Sequence, residues 1–375
     1  MQPTAIVIGA GIVGLATARA LAVKGYKVTV FERTSFAVGA SVRNFGMLWP
    51  IGQTSGKLYD RAVRSRDIWE FIGESGAFWF DPVGSLHVAH HEDEWQVMQE
   101  LYEHYKEERP LQLLTPAQVA EKNASVILDG CKGGLFSADE VIVDPRQAIR
   151  NLPQWLKENF SVEFIWDTTV VGVRSGSIIT GERKRYEADL IMVCSGADFE
   201  TLYPEIFDAL PLTRCKLQMM RFQAQPDNWR MGPALCGGLS LVHYKSFEVA
   251  DSLPVLKRRY QSELPEYLQH GIHVMVSQNE EGALTIGDSH EYGSCPDPFD
   301  KAVINQLILE YLSKIARFPL EKVSETWNGV YPKFTSGDTE FHAEPDPGVH
   351  ILNGLGGAGM TLSFGFAEEI INKIC

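Results

Sequence analysis

The chain is short of cysteine pairs, of long apolar stretches and of positive charge. Its 375 residues include six cysteines, which are scattered, with no CxxC spacing and no close pair. We therefore expect no zinc or other metal site, no disulfide framework, and a reducing, cytoplasmic location. No stretch is apolar enough to span a bilayer, so we expect no membrane partner.

The shortage of positive charge excludes further classes of partner. The sequence has 34 Lys and Arg residues against 48 Asp and Glu residues, a net charge of -14. Nucleic acids attract positive surfaces, so we expect no nucleic-acid partner. A small anionic substrate stays compatible, because it needs only a few local cations. Nothing in the sequence indicates the oligomeric state.

Glycine is plentiful, and its first cluster is the most informative feature of the chain. An apolar strand runs into Gly9, Gly11 and Gly14, an Ala- and Leu-rich helix follows, and a second strand ends on Glu32. This order is the dinucleotide fingerprint in its full context. The glycines permit a tight turn, the approach of a pyrophosphate and close helix packing, while Glu32 suits a ribose without a phosphate. A βαβ unit with glycines for packing alone is the alternative.

A second glycine cluster occupies residues 354–359, between a predicted strand at 349–352 and a predicted helix at 361–373. We expect no second dinucleotide unit here, because no strand and terminal acid follow. A glycine-lined helix start still favours partial negative charge. One dinucleotide turn and one such helix start fit FAD, with the second turn facing the flavin N1–C2=O edge. A loosely capped terminal helix is the alternative.

Hydrophobic periodicity predicts an α/β protein with two interleaved domains. A Rossmann-like, FAD-binding domain with a parallel sheet is predicted for residues 1–77, 143–210 and 329–375. An α+β substrate domain on a mostly antiparallel sheet is predicted for residues 78–142 and 211–328, because its strands alternate with period two. The alternating segments are 84–89, 215–222, 239–247, 272–278 and 283–287. An amphipathic helix is predicted at 299–318.

Several further motifs carry a family resemblance. The stretch Gly39-Ala-Ser41-x-x-Asn44-x-Gly46, the segment 193–197, the segment 329–332 and both glycine turns stand in the same order along nearly the whole chain. On these residues the chain resembles the glycine oxidase, sarcosine oxidase and D-amino-acid oxidase family of FAD enzymes. The stretches 43–52 and 287–293 look like a subgroup linked to aminophosphonate catabolism.

The resemblance implies FAD held at the boundary between the two domains. Sarcosine oxidases attach FAD through a cysteine near residue 330, whereas this chain has Asn-Gly-Val-Tyr at 328–331, so we expect non-covalent FAD. The implied cofactor-binding residues lie in both turns and in the segments between them: Gly9, Gly11, Ile12, Gly14, Glu32, Arg33, Ser41, Asn44, Val171, Gly196, Gly356, Gly357, Gly359, Met360 and Thr361.

The resemblance also implies a reaction. A small anionic primary or secondary amine, 2-aminoethylphosphonate or its N-methyl derivative, would lose a hydride to flavin N5; the imine would hydrolyse, and oxygen would reoxidise the flavin. The alternatives are a glycine, sarcosine or D-amino-acid oxidase, and an FAD dehydrogenase with another electron acceptor. A non-catalytic dinucleotide sensor is a third reading.

Substrate recognition must differ from that of the family's amino-acid oxidases. Those enzymes hold a carboxylate with the arginine of a Gly-x-Arg-Pro stretch, and Tyr331 stands at that place here. A tyrosine cannot form a bidentate fork, so cations must come from elsewhere. In the predicted strands Lys333 shares a face with Tyr331, and His243 shares one with Lys245, while Tyr244 points away. The predicted catalytic residues are Arg43, Asn44, His243, His290, Tyr331 and Lys333.

Overall fold

The computed structural model describes residues 2–375. The helices are α1 (Ile12–Val23), α2 (Lys57–Glu74), α3 (Glu92–Tyr105), α4 (Pro116–Lys122), α5 (Pro145–Phe160), α6 (Pro204–Asp208), α7 (Leu253–Glu263), α8 (Pro265–Gln269), α9 (Ala302–Ile315) and α10 (Gly359–Ile374). The strands are β1 (Thr4–Ile8), β2 (Lys27–Phe31), β3 (Met47–Leu48), β4 (Phe80–Asp81), β5 (Ser85–Ala89), β6 (Leu111–Leu114), β7 (Gly133–Ser137), β8 (Val141–Val143), β9 (Glu163–Ile165), β10 (Val170–Arg174), β11 (Ser177–Thr180), β12 (Arg185–Glu187), β13 (Leu190–Val193), β14 (Leu212–Phe222), β15 (Ala234–Cys236), β16 (Met275–Gln278), β17 (Leu284–Gly287), β18 (Glu291–Gly293), β19 (Val323–Phe334), β20 (Phe341–Asp346) and β21 (Val349–Asn353).

One six-stranded sheet joins the two ends of the chain. Its order is β20-β21-β13-β1-β2-β9, and all neighbours run parallel except β20 and β21. The strands β1 and β13 are almost entirely buried, as expected when helices cover both faces of a parallel sheet. The predicted parallel sheet with a Rossmann-like arrangement is confirmed. Both glycine turns follow strands of this sheet at their carboxyl ends, which is where ligands bind in such folds.

The second large sheet has the order β18-β14-β17-β16-β15-β5-β7-β6, and β19 pairs with β14 outside this path. Its pairs are antiparallel except β15 with β5, so the predicted, mostly antiparallel sheet is confirmed. The predicted amphipathic helix corresponds to α9, which buries its apolar stripe against this sheet. The buried side chains are Ile304, Leu307, Ile308, Tyr311, Leu312 and Ile315.

The strand predicted at 239–247 is wrong. The segment forms two short 3-10 helices, Gly238–Val242 and Lys245–Val249. The strand before it, β15, already pairs with β5 on one side and β16 on the other. The following chain therefore finds no free edge at this position, although Leu239 and Leu241 are fully buried as an alternating strand would have them.

The domain limits stay a prediction, and the limit at residue 329 is the one to test. It falls inside β19, whose residues 323–334 pair with β14 of the antiparallel sheet along their whole length. Its last residues lie against the C-terminal glycine turn, so this strand contacts both sheets. Within residues 2–375, no helix combines the length and apolar character needed to cross a membrane.

Candidate active site

The N-terminal glycine turn has the close contacts that its sequence predicts. Gly9 has a φ of +103°, and a Cβ there would lie 2.4 Å from the carbonyl oxygen of Cys194. A Cβ on Gly14 would lie 1.9 Å from the carbonyl oxygen of Gly9, so only glycine lets α1 pack this closely. At Gly11 a Cβ would face Ser41 Oγ at 3.2 Å. Gly9 and Gly14 are thus required by the fold itself, independently of any ligand, whereas a Cβ at Gly11 would need only a small shift of Ser41.

Hydrogen bonds hold Glu32 and the start of α1 in place beside this turn. Glu32 Oε2 accepts a bond from the Ala10 amide at 2.9 Å, and its other oxygen accepts two bonds from Thr34, at 3.1 and 2.9 Å. The Ile12 amide donates to Ser41 Oγ at 2.9 Å. The remaining amides of the first turn of α1 have no intrahelical acceptor and are available to an anion.

A cavity of about 310 Å³, called here the nucleotide cavity, opens at this turn. It is also lined by Val170. The predicted Val171 is the next residue along β10, at a β-bulge, and its side chain is 50% exposed and does not line this cavity. A contact of FAD with the main chain of Val171 stays a prediction. The predicted FAD residues that line this cavity are Gly9, Gly11, Glu32, Arg33, Ser41 and Gly196.

A second cavity of about 120 Å³, the linking cavity, continues from the first and shares Ser41, Gly196 and Pro332 with it. The C-terminal glycine turn lines this cavity, together with several predicted residues near the N-terminal turn. The two ends of the chain therefore meet on one continuous space. The predicted residues found here are Ile12, Ser41, Arg43, Asn44, Gly196, Tyr331, Gly356, Gly357, Gly359 and Met360.

Beyond the linking cavity lies a third space of about 210 Å³, the histidine cavity. It contains four of the six predicted catalytic side chains, His243, His290, Tyr331 and Lys333, and the predicted Asn44 forms part of its wall. A smaller side cavity of about 100 Å³ is lined by Thr361 and Trp49. Thr361 Oγ1 accepts a hydrogen bond from the Trp49 amide at 2.9 Å, which ties α10 to this wall.

Three imidazoles stack in the histidine cavity. The ring centroids of His243 and His273 are 3.8 Å apart with an interplanar angle of 23°, and His290 lies 4.6 Å from His243 and 5.2 Å from His273. The buried carboxylate of Asp288 has one oxygen 2.9 Å from His273 Nε2 and the other 3.9 Å from His290 Nε2. His243 is exposed, whereas His273 and His290 are buried. Desolvation by the stacked rings, followed by the charges of the neighbouring imidazoles, lowers the pKa of His243.

Two lysines share this space. Lys333 and Tyr331 project from β19 toward the C-terminal glycine turn: the position of a Gly356 Cβ is 3.4 Å from the Lys333 side chain, and that of a Gly357 Cβ is 3.3 Å from Tyr331 Oη. The predicted common face of Tyr331 and Lys333 therefore agrees with the structure. Burial lowers the pKa of Lys333, and a second ammonium, that of Lys245, adds to this effect.

Tyr244 was expected to point away from His243 and Lys245, and this expectation is wrong. All three side chains line the histidine cavity, because the segment forms tight turns instead of a pleated strand. The segment 337–339 also lines this cavity, and the Gly337 carbonyl accepts a hydrogen bond from Lys245 Nζ at 2.7 Å.

Arg43 and Asn44 make their hydrogen bonds to main-chain groups and not to the side chains of the histidine cavity. Arg43 lines the linking cavity, and its guanidinium donates to the carbonyl oxygen of Asn328 at 3.1 Å. The Asn44 amide donates to the carbonyls of Ala40 and Ser41, and its oxygen accepts from the Gly46 amide. The polar atoms of Asn44 thus stabilise the loop, which fits a positioning role better than a catalytic one.

Sequence reasoning missed His273 and Asp288. Asp288 follows Gly287 in a stretch that was singled out for its subgroup resemblance, so its position next to His290 was a usable signal. His273 precedes the strand β16, and only the pairing of β16 with β17 brings it beside Asp288. No local pattern announces such a long-range contact.

The residues present fit FAD. The glycine turn has space for a diphosphate, a carboxylate lies where an adenosine ribose is expected, and the linked cavities extend from there to the C-terminal turn. The buried Ser195 hydroxyl, on the wall of the nucleotide cavity, has no hydrogen-bond partner within the described residues. Both turns direct main-chain groups into the same space, as a long dinucleotide with a ring system at one end requires.

Fold and site together define a dinucleotide-dependent oxidoreductase of the two-sheet type. The family model of FAD-dependent oxidoreductases, designated DAO, matches residues 4–372. This chain belongs to that family, and its cofactor is FAD.

Individual relatives agree with this assignment. The tRNA 5-methylaminomethyl-2-thiouridine biosynthesis bifunctional protein MnmC of Stutzerimonas stutzeri is 28% identical over 243 residues, 62% of this chain and 35% of that protein. A glycine oxidase of Pseudomonas aeruginosa is 26% identical over 246 residues, 60% of this chain and 64% of the oxidase. The chain thus spans about a third of the length of the first of these relatives.

A solved structure supports the fold independently. The L-proline dehydrogenase of P. horikoshii superposes with a TM-score of 0.79 at 20% identity, covering 100% of this chain and 93% of the dehydrogenase. At this identity the likeness concerns the fold, including the combination of a parallel and a mostly antiparallel sheet.

Proposed function

We propose that this chain oxidises a small primary or secondary amine that carries an anionic group, with 2-aminoethylphosphonate or its N-methyl derivative as the specific prediction. Lys333 is the observation that carries the proposal. It is half-buried in the wall of the histidine cavity and forms no ion pair with a carboxylate within the described residues. A partly desolvated charge without an ion-pair partner is costly, so an anionic ligand is its natural counterpart.

The position of Lys333 supports an amine substrate as well. Its side chain lies against Gly356 of the C-terminal turn, so an anion bound to the ammonium lies within reach of the linking cavity. A short carbon chain on that anion brings an amine toward the space assigned to the flavin. Bound FAD supplies the acceptor for the hydride that leaves the carbon beside the amine nitrogen. The chain's own task is to orient this carbon and to limit access of water.

An oxidase of simple amino acids is the second candidate, and the similarity to a glycine oxidase favours it. Against it stands Tyr331, because a phenol donates one hydrogen bond and cannot form the two parallel bonds of an arginine. The absence of a nucleic-acid partner, the non-covalent state of FAD, the use of oxygen and the cytoplasmic location stay predictions.

Anaerobic bleaching of the flavin absorbance tests the proposal. The panel is 2-aminoethylphosphonate, its N-methyl derivative, glycine, sarcosine and D-alanine, each mixed with the holoprotein without oxygen. We expect the two phosphonates to bleach the flavin at the lowest concentrations. Lys333→Met should raise the half-saturating concentration about 30- to 100-fold, the equivalent of about 2–3 kcal/mol for a lost charged hydrogen bond.

Lys314→Met is the matched control, because Lys314 is exposed on α9 and lines none of the four cavities described above. It should leave the half-saturating concentration unchanged. Bleaching by glycine or D-alanine but by neither phosphonate contradicts the proposal, as does a Lys333→Met variant that behaves like the unmodified chain. Reoxidation by air in a stopped-flow instrument then separates an oxidase from a dehydrogenase.

A further inference from the structure

The charges of the histidine cavity leave a dianion only partly balanced. In its inner part Lys333 is the cation and Asp288 the anion, while Lys245 and Asp338 occupy the exposed rim. Lys333 pairs with one negative charge of a ligand. Asp288 adds negative charge to the inner cavity, and the opposite charges of the rim offset each other in solvent, where screening is strong. A second negative charge therefore needs another cation inside the cavity.

We propose that the imidazoles of His243, His273 and His290 form a proton-accepting subsite that selects a dianionic oxyanion, such as a phosphonate, over a monoanion. When the dianion enters, one imidazole takes a proton from the solvent and becomes the second cation. The inference rests on the proposed function, because both concern the anionic group of the same substrate. It specifies that the anionic group is a dianion and that a protonated imidazole supplies the second balancing charge.

The cluster contains ring nitrogens with lone pairs that can accept a proton. His290 Nδ1 lies 2.9 Å from the Gly271 carbonyl and must donate to it, so Nε2 carries the lone pair, 3.9 Å from an Asp288 oxygen. Asp288 Oδ1 is 2.9 Å from His273 Nε2, and the buried Nδ1 of the same imidazole has no hydrogen-bond partner within the described residues. Unsatisfied buried acceptors are costly, and a shared proton removes part of that cost.

The surroundings favour the neutral form of two of the imidazoles, those of His290 and His243. Burial lowers the pKa of His290 although Asp288 opposes this effect. Desolvation by the stacked rings, followed by the charges of His273, His290 and Lys333, lowers the pKa of His243, although this residue is exposed. Burial raises the pKa of Tyr331 and Tyr244, so these phenols stay protonated and supply no charge. The titratable groups that face the three imidazoles from the surrounding elements are Asp288, Lys333, Lys245, Asp338, Tyr244, Tyr292, Tyr331 and Cys215.

A metal ion is a weaker occupant, although one nitrogen of each imidazole lies within 4.8 Å of the others. The lone pairs of an imidazole lie in the plane of its ring. The rings of His243 and His273 stack nearly face to face at 3.8 Å, so their lone pairs do not converge on one ion. The ammonium groups of Lys333 and Lys245, which line the same cavity, would also repel a divalent cation.

The test compares two ligands of the same shape that differ by one charge. Ethylphosphonate is a dianion above its second pKa, whereas ethanesulfonate stays a monoanion, and neither carries an amine. Each ligand is titrated into the holoprotein at a pH above the second pKa of ethylphosphonate, and the change in the flavin spectrum reports binding. Calorimetry in two buffers of different ionisation enthalpy gives the number of protons taken up. The ³¹P chemical shift of bound ethylphosphonate reports its own ionisation state.

We expect ethylphosphonate to bind as a dianion with uptake of about one proton, and ethanesulfonate to bind more weakly with none. His290→Gln and His243→Gln should abolish the uptake and weaken ethylphosphonate about tenfold, with a smaller change for ethanesulfonate. His270→Gln is the control, because His270 lies beside the cluster without lining the cavity. If a variant does not fold, the number of protons taken up by the unmodified protein still tests the inference.

Each other outcome has one meaning. Equal binding of both ligands without proton uptake, a monoanionic ³¹P shift, or unchanged uptake in both variants overturns the inference and leaves the anionic-amine function standing. Binding of neither ligand overturns the proposed function itself. A stoichiometric metal whose removal by chelation abolishes ethylphosphonate binding replaces the proton with a metal ion and overturns the inference.

Discussion

The nucleotide cavity and the histidine cavity lie at opposite ends of one continuous space, and they are built in different ways. The first depends on the main chain of one contiguous stretch, from Gly9 to Gly14, with Glu32 one strand away. The second takes side chains from the segment 243–245, from the loops at 273 and 288–290, and from β19. The first fits FAD, the cofactor of the family, and the second is the proposed substrate site.

The difference teaches where sequence and function are coupled. A turn that needs glycine at fixed spacing has few alternatives, since a single Cβ meets a backbone atom within 2.4 Å. A set of side chains from distant segments can change one member at a time without loss of the fold. Substitutions in the two cavities should therefore have different consequences for stability and for ligand affinity.

The largest effect is expected from Gly14→Ala. The new Cβ would lie 1.9 Å from the Gly9 carbonyl oxygen, so α1 must move and the turn is lost, at a cost of more than about 3 kcal/mol. We expect loss of bound flavin and a lower melting temperature. Gly293→Ala is the control, because a Cβ there meets no atom within 4 Å. Normal flavin content in Gly14→Ala contradicts the packing argument.

An intermediate effect is expected from Glu32→Ala. It removes an acceptor of three hydrogen bonds and the carboxylate predicted to bind the ribose, so FAD affinity should fall by about 1–3 kcal/mol. The measurement is the dissociation constant of FAD from reconstituted protein. The affinity of the remaining holoprotein for ethylphosphonate should not change, and a parallel loss of both would erase the distinction between the two cavities. Glu182→Ala, on an exposed turn, is the matched control.

The smallest effect is expected from Lys333→Arg, which keeps the charge. Because burial lowers the pKa of Lys333, the ammonium of the free protein is lost below the usual alkaline range, and anion binding weakens there as pH rises. Arginine stays charged, so the alkaline fall in apparent kcat/KM should move to higher pH, with affinity at neutral pH within about threefold. An unmoved alkaline limb assigns the titration to another group.

The sequence predicted the nucleotide end and the class of fold because the signals there are local. The order of strand, glycine turn, helix and acid lies within 32 residues, and the C-terminal turn repeats the glycine spacing. The meeting of the two turns depended on expecting a common ligand. In the structure a Cβ on Gly359 would lie 3.7 Å from the Ile12 side chain, and both residues line the linking cavity. Here main-chain geometry and residue type carry the same information.

The histidine end was only partly predictable, for physical reasons. His243 and His290 were identified by type and charge, but His273 enters through the pairing of two strands, and the carboxylate of Asp288 gains its meaning from that contact. The alternation of Leu239 and Leu241 predicted a strand where no sheet edge was free. Burial pattern alone does not distinguish a strand from successive tight turns.

The pleat of β19 directs alternate side chains to different cavities. Val330 and Pro332 face the nucleotide cavity, whereas Tyr331 and Lys333 face the histidine cavity. Replacements at positions 331 and 333 can therefore change the proposed substrate site, while positions 330 and 332 keep the wall of the nucleotide cavity unchanged. An insertion or deletion of one residue would exchange the two sets at once, so this stretch should evolve by replacement and hardly ever by change of length.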